Sequence, residues 1–370
     1  MTSGRLDWHF PRTDLAESIL DRFEIGATTA LTLFAPRRMG KTEFVVQDLL
    51  PMARERGYLS IYVNFWDRKQ DPADSLILGL TKATSQLSTA SKIKQNLSRF
   101  KAGGISTPIG GANLQLQGLS TDSKLEAIQT LFDRLLTDGR KLLIALDEVQ
   151  HLGTNAAFEP IVYALRGLLD PHRDQVHVLY TGSSRSGLQR LFRRRNAPLF
   201  SSSQQIDLPE FGTDYLAYMA KIFQQATGRV LNLDACKEAF RLVKRVPYDY
   251  RQIIDLLILH GGEDILAITQ AYLADHSLEA IYQAEWQALK PVDQAVLVWI
   301  IKGKSGPYTG EARQFIANQL GLDSVDTATV QNAVNRLRGA SKIAPVSLGC
   351  YELEDPYYAD WILNEVQHGT

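Results

Sequence analysis

The stretch from Thr29 to Gln47, TALTLFAPRRMGKTEFVVQ, constrains the fold more than any other in the chain. An apolar run with β character enters a turn holding two arginines and a glycine, and a helical pattern begins directly after it. Leu31, Leu33 and Phe34 end a buried strand, and Phe44, Val45 and Leu49 have the spacing of a helix that packs back on a sheet. A strand that becomes a helix N-terminus through such a turn aims successive backbone N–H groups at phosphate oxygens. On this reading Pro36, Arg37, Arg38, Met39, Gly40, Lys41, Thr42 and Glu43 form a phosphate-binding loop. Lys41 reaches the β- and γ-phosphates and Thr42 holds Mg²⁺. The strict motif has glycine five positions before Gly40, where this chain has Ala35, a corner less able to take positive φ. A solvated basic turn is the competing reading of this stretch alone.

Its counterpart is KLLIALDEVQHL. Leu142 to Leu146 is a near-continuous apolar strand of the kind buried in a parallel sheet, and it delivers Asp147 and Glu148 at its C-terminal end. An aspartate there orients Mg²⁺, and the following glutamate accepts a proton from attacking water. The alternative is an acidic helix start stabilised by the macrodipole. With GKT upstream in the same chain, the pair predicts binding of ATP with Mg²⁺, and its hydrolysis. His151, close behind, reads as an ordinary surface or helix residue.

The remaining elements follow in order. DLAESILDRF predicts a helix capped by Asp14, with Leu15, Ile19 and Phe23 on one face. The helix after the loop should end at Pro51, YLSIYVNF is a second strand, and a helix should run from about Pro72 to Phe100. Residues 102–118, rich in glycine, suggest a hairpin or a loop. Leu125, Ile128, Leu131, Phe132 and Leu135 share a helical face that Gly139 closes. VHVLYTGSS and QQIDLPEF complete a parallel sheet, and residues 213 to about 288 are helical. From Lys290 onward, three short helices and a hairpin give a winged helix-turn-helix pattern.

In the third of these helices Val330, Ala333, Val334 and Leu337 face inward, and Gln331, Asn332, Asn335, Arg336 and Arg338 face out. Asn332 and Asn335 suit adenine edges, and Arg336, Arg338 and Lys342 suit a DNA backbone. Glu352, Glu354, Asp355, Asp360 and Glu365 count against a strong footprint on double-stranded DNA, and a protein partner stays open.

Length sets the frame for this order. The 370 residues suit two or three domains, read here as a core over 1–211, a helical lid over 212–288 and a winged helix over 289–370. A formal charge of −1 makes no global case for nucleic acid. Cys236 and Cys350, the only two cysteines, lie far apart with no histidine at ligand spacing, which argues against a disulfide framework or a zinc site. The N-terminus lacks a basic segment followed by an apolar core, and the run Ala295 to Ile301 is too short to cross a bilayer. A soluble cytoplasmic protein is expected.

APRRMGKT, LIALDEVQHL, VLYTGSS and the ending YELEDPYYADWI together resemble the archaeal-type STAND ATPases, relatives of the Orc1/Cdc6-like AAA+ proteins. The resemblance spans nearly the whole chain. It implies an α/β P-loop core with a parallel sheet, a helical lid and a C-terminal winged helix, acting as an ATP-dependent switch with a possible nucleotide-dependent homo-oligomer. It places the VHVLYTGSS strand between the strands of GKT and Asp147, with Thr181 or Ser183 as a sensor of γ-phosphate or water. It sets Phe10 and Arg12 either near the adenine or in plain packing. Arg251 becomes a second sensor or else a surface salt bridge. Two departures stand out: the arginine that follows a proline, leucine, aromatic, glycine run in the family is missing after Pro198, Leu199 and Phe200, where Ser201 and Ser202 stand. The finger role, if kept, passes to Arg193, Arg194 or Arg195. A lid glycine common in the family is Arg245 here.

Overall fold

Four apolar runs and the polar segment QQID become the five strands of one parallel sheet in the computed structural model, which describes residues 6–87, 118–192, 199, 202–262, 264–275, 279–302, 306–347, 349–355, 357–359 and 361–363. The strands are β1 (Ala30–Phe34), β2 (Leu59–Asn64), β3 (Leu142–Asp147), β4 (Val176–Gly182) and β5 (Gln204–Asp207), in spatial order β2-β3-β4-β1-β5. β1, β3 and β4 are buried along their whole length because helices cover both faces. β4 lies between β1 and β3, with Thr181 beside Leu33 and Leu146 beside Tyr180. The C-terminal ends of β1 and β3 therefore open on the same side of the sheet, where ligands of such sheets bind.

One face is covered by α1 (Thr13–Glu24) and by α2, which begins as Lys41–Glu43, passes through a π-helical stretch Phe44–Leu49 and continues as Leu50–Glu55. Two boundaries differ from expectation. Arg12, not Asp14, occupies the N-cap of α1, and its backbone N–H is satisfied by Asp48 Oδ2 at 3.1 Å. Pro51 does not end α2: the preceding turn opens to the π register, which accommodates a residue with no N–H to donate.

The other face carries α3 (Pro72–Thr84), α4 (Thr121–Leu136) and α5 (Glu159–Leu169). α3 stops at Thr84 instead of reaching Phe100. There the hydroxyls of Thr84 and Ser85 bond back to Thr81 O and Lys82 O, an alternative to continuing the helix. Residues 88–117, with the glycine-rich stretch, lie outside the described residues. α6 (Arg185–Phe192) follows β4.

The helical segment comprises α7 (Thr213–Thr227), α8 (Leu233–Leu242), α9 (Pro247–His260) and α10 (Ile265–Asp275), packed around Phe223, Phe240, Tyr250 and Ile254. α11 (Glu279–Gln287) sends Tyr282 and Trp286 into the next core instead, beside α12 (Pro291–Ile301), α13 (Gly310–Leu320) and α14 (Thr327–Gly339). Thr309 and Asp326 cap α13 and α14 through Ala312 N and Thr329 N. β6 (Ile343–Ser347) and β7 (Cys350–Leu353) pair antiparallel as the wing. Among the described residues no helix is long and apolar enough to cross a membrane.

Candidate nucleotide site

The loop between β1 and α2 makes its turn at two left-handed residues, Arg38 (φ 66°) and Gly40 (φ 85°). Ala35 takes no positive φ and is buried, so its missing glycine costs this turn nothing. A Cβ added at Gly40 would meet nothing within 4 Å, which leaves open space above the loop at the helix N-terminus. Lys41 is buried, with Nζ donating to Ala35 O at 2.8 Å and Pro36 O at 3.1 Å. Burial pushes its ammonium below the ordinary lysine range, and Glu148 and then Asp147 pull it back.

Asp147 is fully buried at the end of β3, and donors from three other elements converge on it. Thr42 Oγ1, from the first turn of α2, donates to Oδ2 at 2.6 Å, and Tyr62 OH, from β2, donates to the same oxygen at 2.9 Å. Thr181 Oγ1, from β4, donates to Oδ1, and Glu148 N reaches Oδ1 at 3.0 Å. A hydroxyl and a carboxylate oxygen this close form the hard donor pair that Mg²⁺ selects, so Thr42 and Asp147 fit that ion. Thr181 is itself fully buried and acts on Asp147. Burial, then the Asp147 charge, raises the Tyr62 phenol, which keeps it a donor.

Glu148 adopts φ 55°, a left-handed conformation that a non-glycine residue holds only where its surroundings fix it. Its Oε2 accepts from Ser183 Oγ at 2.9 Å and from Gln150 Nε2, which also lies 3.2 Å from Ser183 Oγ. Two glycines make room for Gln150: a Cβ at Gly182 would come 2.5 Å from its Oε1, and one at Gly187 would come 2.7 Å from its Cβ. His151 Nε2 pairs with Lys69 O at 2.7 Å, away from the carboxylates.

A cavity of about 470 Å³ opens beside the loop, lined among others by Gly40, Lys41, Thr42, Glu148, Trp66 and Arg251. Its far wall is a strap of chain preceding α1. Trp8 and Phe10 pack against the helical segment, with Phe10 5.4 Å from Phe211 and 5.3 Å from Tyr218, while Tyr218 OH donates to Asp7 O at 2.8 Å. Arg12 lies 3.7 Å from the Phe211 ring centroid, and burial lowers its pKa to about 10. An aromatic compartment next to a cationic loop has the two halves a purine nucleotide needs.

No protein-family model matches the chain, and no curated protein matches its sequence. Solved structures do match. A Walker-type ATPase of Pyrococcus abyssi aligns over 96% of this chain and 98% of its own, with TM-score 0.58 and 16% identity. The ORC2 protein of Aeropyrum pernix aligns in its ADP form over 96% of this chain and 93% of its own, with TM-score 0.56 and 16% identity. The same protein in ADPNP–ADP complexes aligns with TM-score 0.52. The chain shares the fold of these archaeal structures.

Within this fold, Arg251 sits on α9 with Nη1 3.8 Å from Glu43 Oε1 and its guanidinium 5.3 Å from the Trp8 ring. Arg37 lies over Trp66 at 4.7 Å. Met39 is buried and Pro36 exposed. Arg193, Arg194 and Arg195 lie outside the described residues, as do Asp360 and Glu365. Arg245 has φ 54°, as does Lys244, so the backbone keeps the left-handed bend that glycine would make freely.

On the winged helix Asn332 and Asn335 are exposed. Arg336 forms a two-pronged pair with buried Asp293, at 3.1 and 2.6 Å, and Lys342 pairs with Glu285. Two of the three cations expected at a DNA backbone, Arg336 and Lys342, are thus held by acidic partners within the chain. Sequence reasoning missed Tyr62, Gln150 as a partner of Glu148, Trp8 and these acidic partners. Tyr62 alone left a signal, a phenol on the strand next to Asp147.

Proposed function

We propose that the chain is an ATP-binding and ATP-hydrolysing molecular switch of the AAA+/STAND type, in which nucleotide state selects among arrangements of core (1–211), lid (212–288) and winged helix (289–370). The observation that carries this reading is the junction at Asp147, where α2, β2 and β4 all place hydroxyls on one buried carboxylate beside a buried lysine. A structural role alone does not call for a lysine there, because burial opposes its charge until phosphate oxygens arrive.

Lys41 and the backbone N–H groups at the start of α2 bind the β- and γ-phosphates. Mg²⁺, when bound by Thr42 and Asp147, supplies Lewis-acid stabilisation of phosphate oxygens. Ser183 and Gln150 aim the Glu148 carboxylate, which takes the proton of the attacking water. Arg251 comes from the lid to the same cavity.

Lys41→Ala should abolish ATP binding in a chain that keeps its circular dichroism, and normal affinity there would overturn the assignment. Glu148→Gln should keep binding and lose turnover by roughly 10²–10⁴-fold. Undiminished hydrolysis would move the base elsewhere. A second reading is a nucleotide-responsive DNA-binding regulator or mobile-element targeting factor with little turnover. It is favoured by the exposed Asn332 and Asn335 on α14, and a nucleotide-dependent homo-oligomer would supply the affinity that one protomer with few cations lacks. If the ATP-loaded chain ignores double-stranded DNA at low salt, the winged helix docks a protein partner instead.

A further inference from the structure

Asp249, in the first turn of α9, is 3% exposed, and its carboxylate joins three parts of the chain. Arg38 Nη1, from the phosphate loop, lies 3.2 Å from Oδ1. Tyr272 OH, from α10, donates to Oδ1 at 2.9 Å. Tyr357 OH, from the helical residues 357–359 after the C-terminal hairpin, donates to Oδ2 at 2.9 Å and lies equally close to Val243 O. Burial and then the Asp249 charge raise the Tyr357 phenol, so it stays a donor.

Each end of this relay is fixed by its own contacts. Asp355 accepts from Tyr357 N at 2.9 Å with one oxygen and from Tyr282 OH at 2.9 Å with the other, which ties Tyr357 to the C-terminal core. At the loop end, Arg38 O accepts from Tyr248 N at 3.4 Å, and the Arg38 guanidinium lies 5.0 Å from the Tyr248 ring. Arg38 is the left-handed residue two positions before Gly40, so its restraint sets the approach to the phosphate cradle. Between Val243 and Asp249 stand Lys244 and Arg245, both left-handed without being glycine, a bend that persists only while its surroundings hold it.

A buried carboxylate leans on each of its donors, so withdrawing one changes how it holds the rest. We propose that Tyr357 is a positioning residue for the phosphate loop, acting through Asp249 on Arg38, so that docking of the C-terminal domain and binding of ATP favour one another. The inference rests on the nucleotide reading of that loop. By linkage, ATP tightens C-terminal docking by the same factor that docking tightens ATP binding.

The test measures ATP affinity calorimetrically on the full chain for wild type, Tyr357→Phe, Arg38→Ala and the double variant. Phenylalanine keeps the ring in its apolar surroundings and removes only the hydroxyl. Tyr357→Phe should weaken ATP by about five- to tenfold, in the range of ordinary coupling between sites. In the Arg38→Ala background the same change should have no effect, an outcome that general loosening of the fold does not produce. Equal affinity in Tyr357→Phe, or an equal loss with and without Arg38, overturns the proposal. A wild-type chain that binds no nucleotide overturns the nucleotide reading together with it, whereas wild-type binding unchanged by Tyr357→Phe overturns the coupling alone.

Discussion

His177 makes the core acid-sensitive, and the size of the effect follows from its surroundings. It sits on β4 at 3% exposure, stacked on Phe23 at 4.8 Å with the rings 3° from parallel. Burial, and then the nearby Lys141 charge, lower its pKa from 6.5 to about 4. In the unfolded chain the imidazole takes a proton near its ordinary pKa, while in the folded chain it does not. Stability is therefore intact above about pH 6.5 and is lost as pH falls toward 4. With one pKa unit worth about 1.4 kcal/mol, moving from pH 7.5 to 5.0 should cost about 2 kcal/mol through this residue alone. His177→Phe removes the titrating group and keeps an aromatic ring on Phe23. Urea unfolding of both chains at the two pH values cancels the contributions of every other group. The loss between pH 7.5 and 5.0 should be about 2 kcal/mol smaller for the variant, and an identical loss in both would refute the reasoning.

Two further outcomes follow from the site. Gly182→Ala sets a methyl 2.5 Å from Gln150 Oε1 and 2.7 Å from Leu188, so Gln150 must move and Glu148 loses its aim. Steady-state kinetics should show kcat down roughly ten- to a hundredfold with KM little changed, and an unaltered kcat would sink the role of Gln150. Arg336→Ala leaves Asp293, only 3% exposed, without its bidentate partner. The C-terminal domain should lose about 1–3 kcal/mol of stability, read as a lowered melting temperature. Lost DNA binding at unchanged stability would instead make Arg336 a DNA contact.

The parallel sheet was legible because strands buried on both faces are written as unbroken apolar runs, as Leu142 to Leu146 is. The Lys41, Thr42 and Asp147 constellation was legible for a different reason: its residue types stand at strand ends beside a glycine turn. Contacts across long separations were not. Tyr62 meets Asp147 across 85 positions, with only its place on the neighbouring strand as a hint, and Arg336 meets Asp293 across 43 with no local mark at all. Helix ends were misread where a neighbour or a change of register decided them. The N-cap of α1 falls on Arg12, whose N–H is held by Asp48, and Pro51 is accommodated by a π turn that no propensity forecasts.

The strap before α1 also bears on the order in which the molecule can be made. Its Asp7 carbonyl waits for Tyr218, which is 211 positions later, and at ordinary synthesis rates the interval is roughly 10–40 s. By its end the phosphate loop and all five strands have been made, while the aromatic wall of the cavity still has no second side. On the proposed function, a nascent core would meet ATP only through the loop, and the aromatic compartment would be completed only with α7. On that same function, nucleotide capture thus becomes a mark of a chain translated into its lid, which ribosome-bound fragments ending before and after Tyr218 would reveal by their ATP retention.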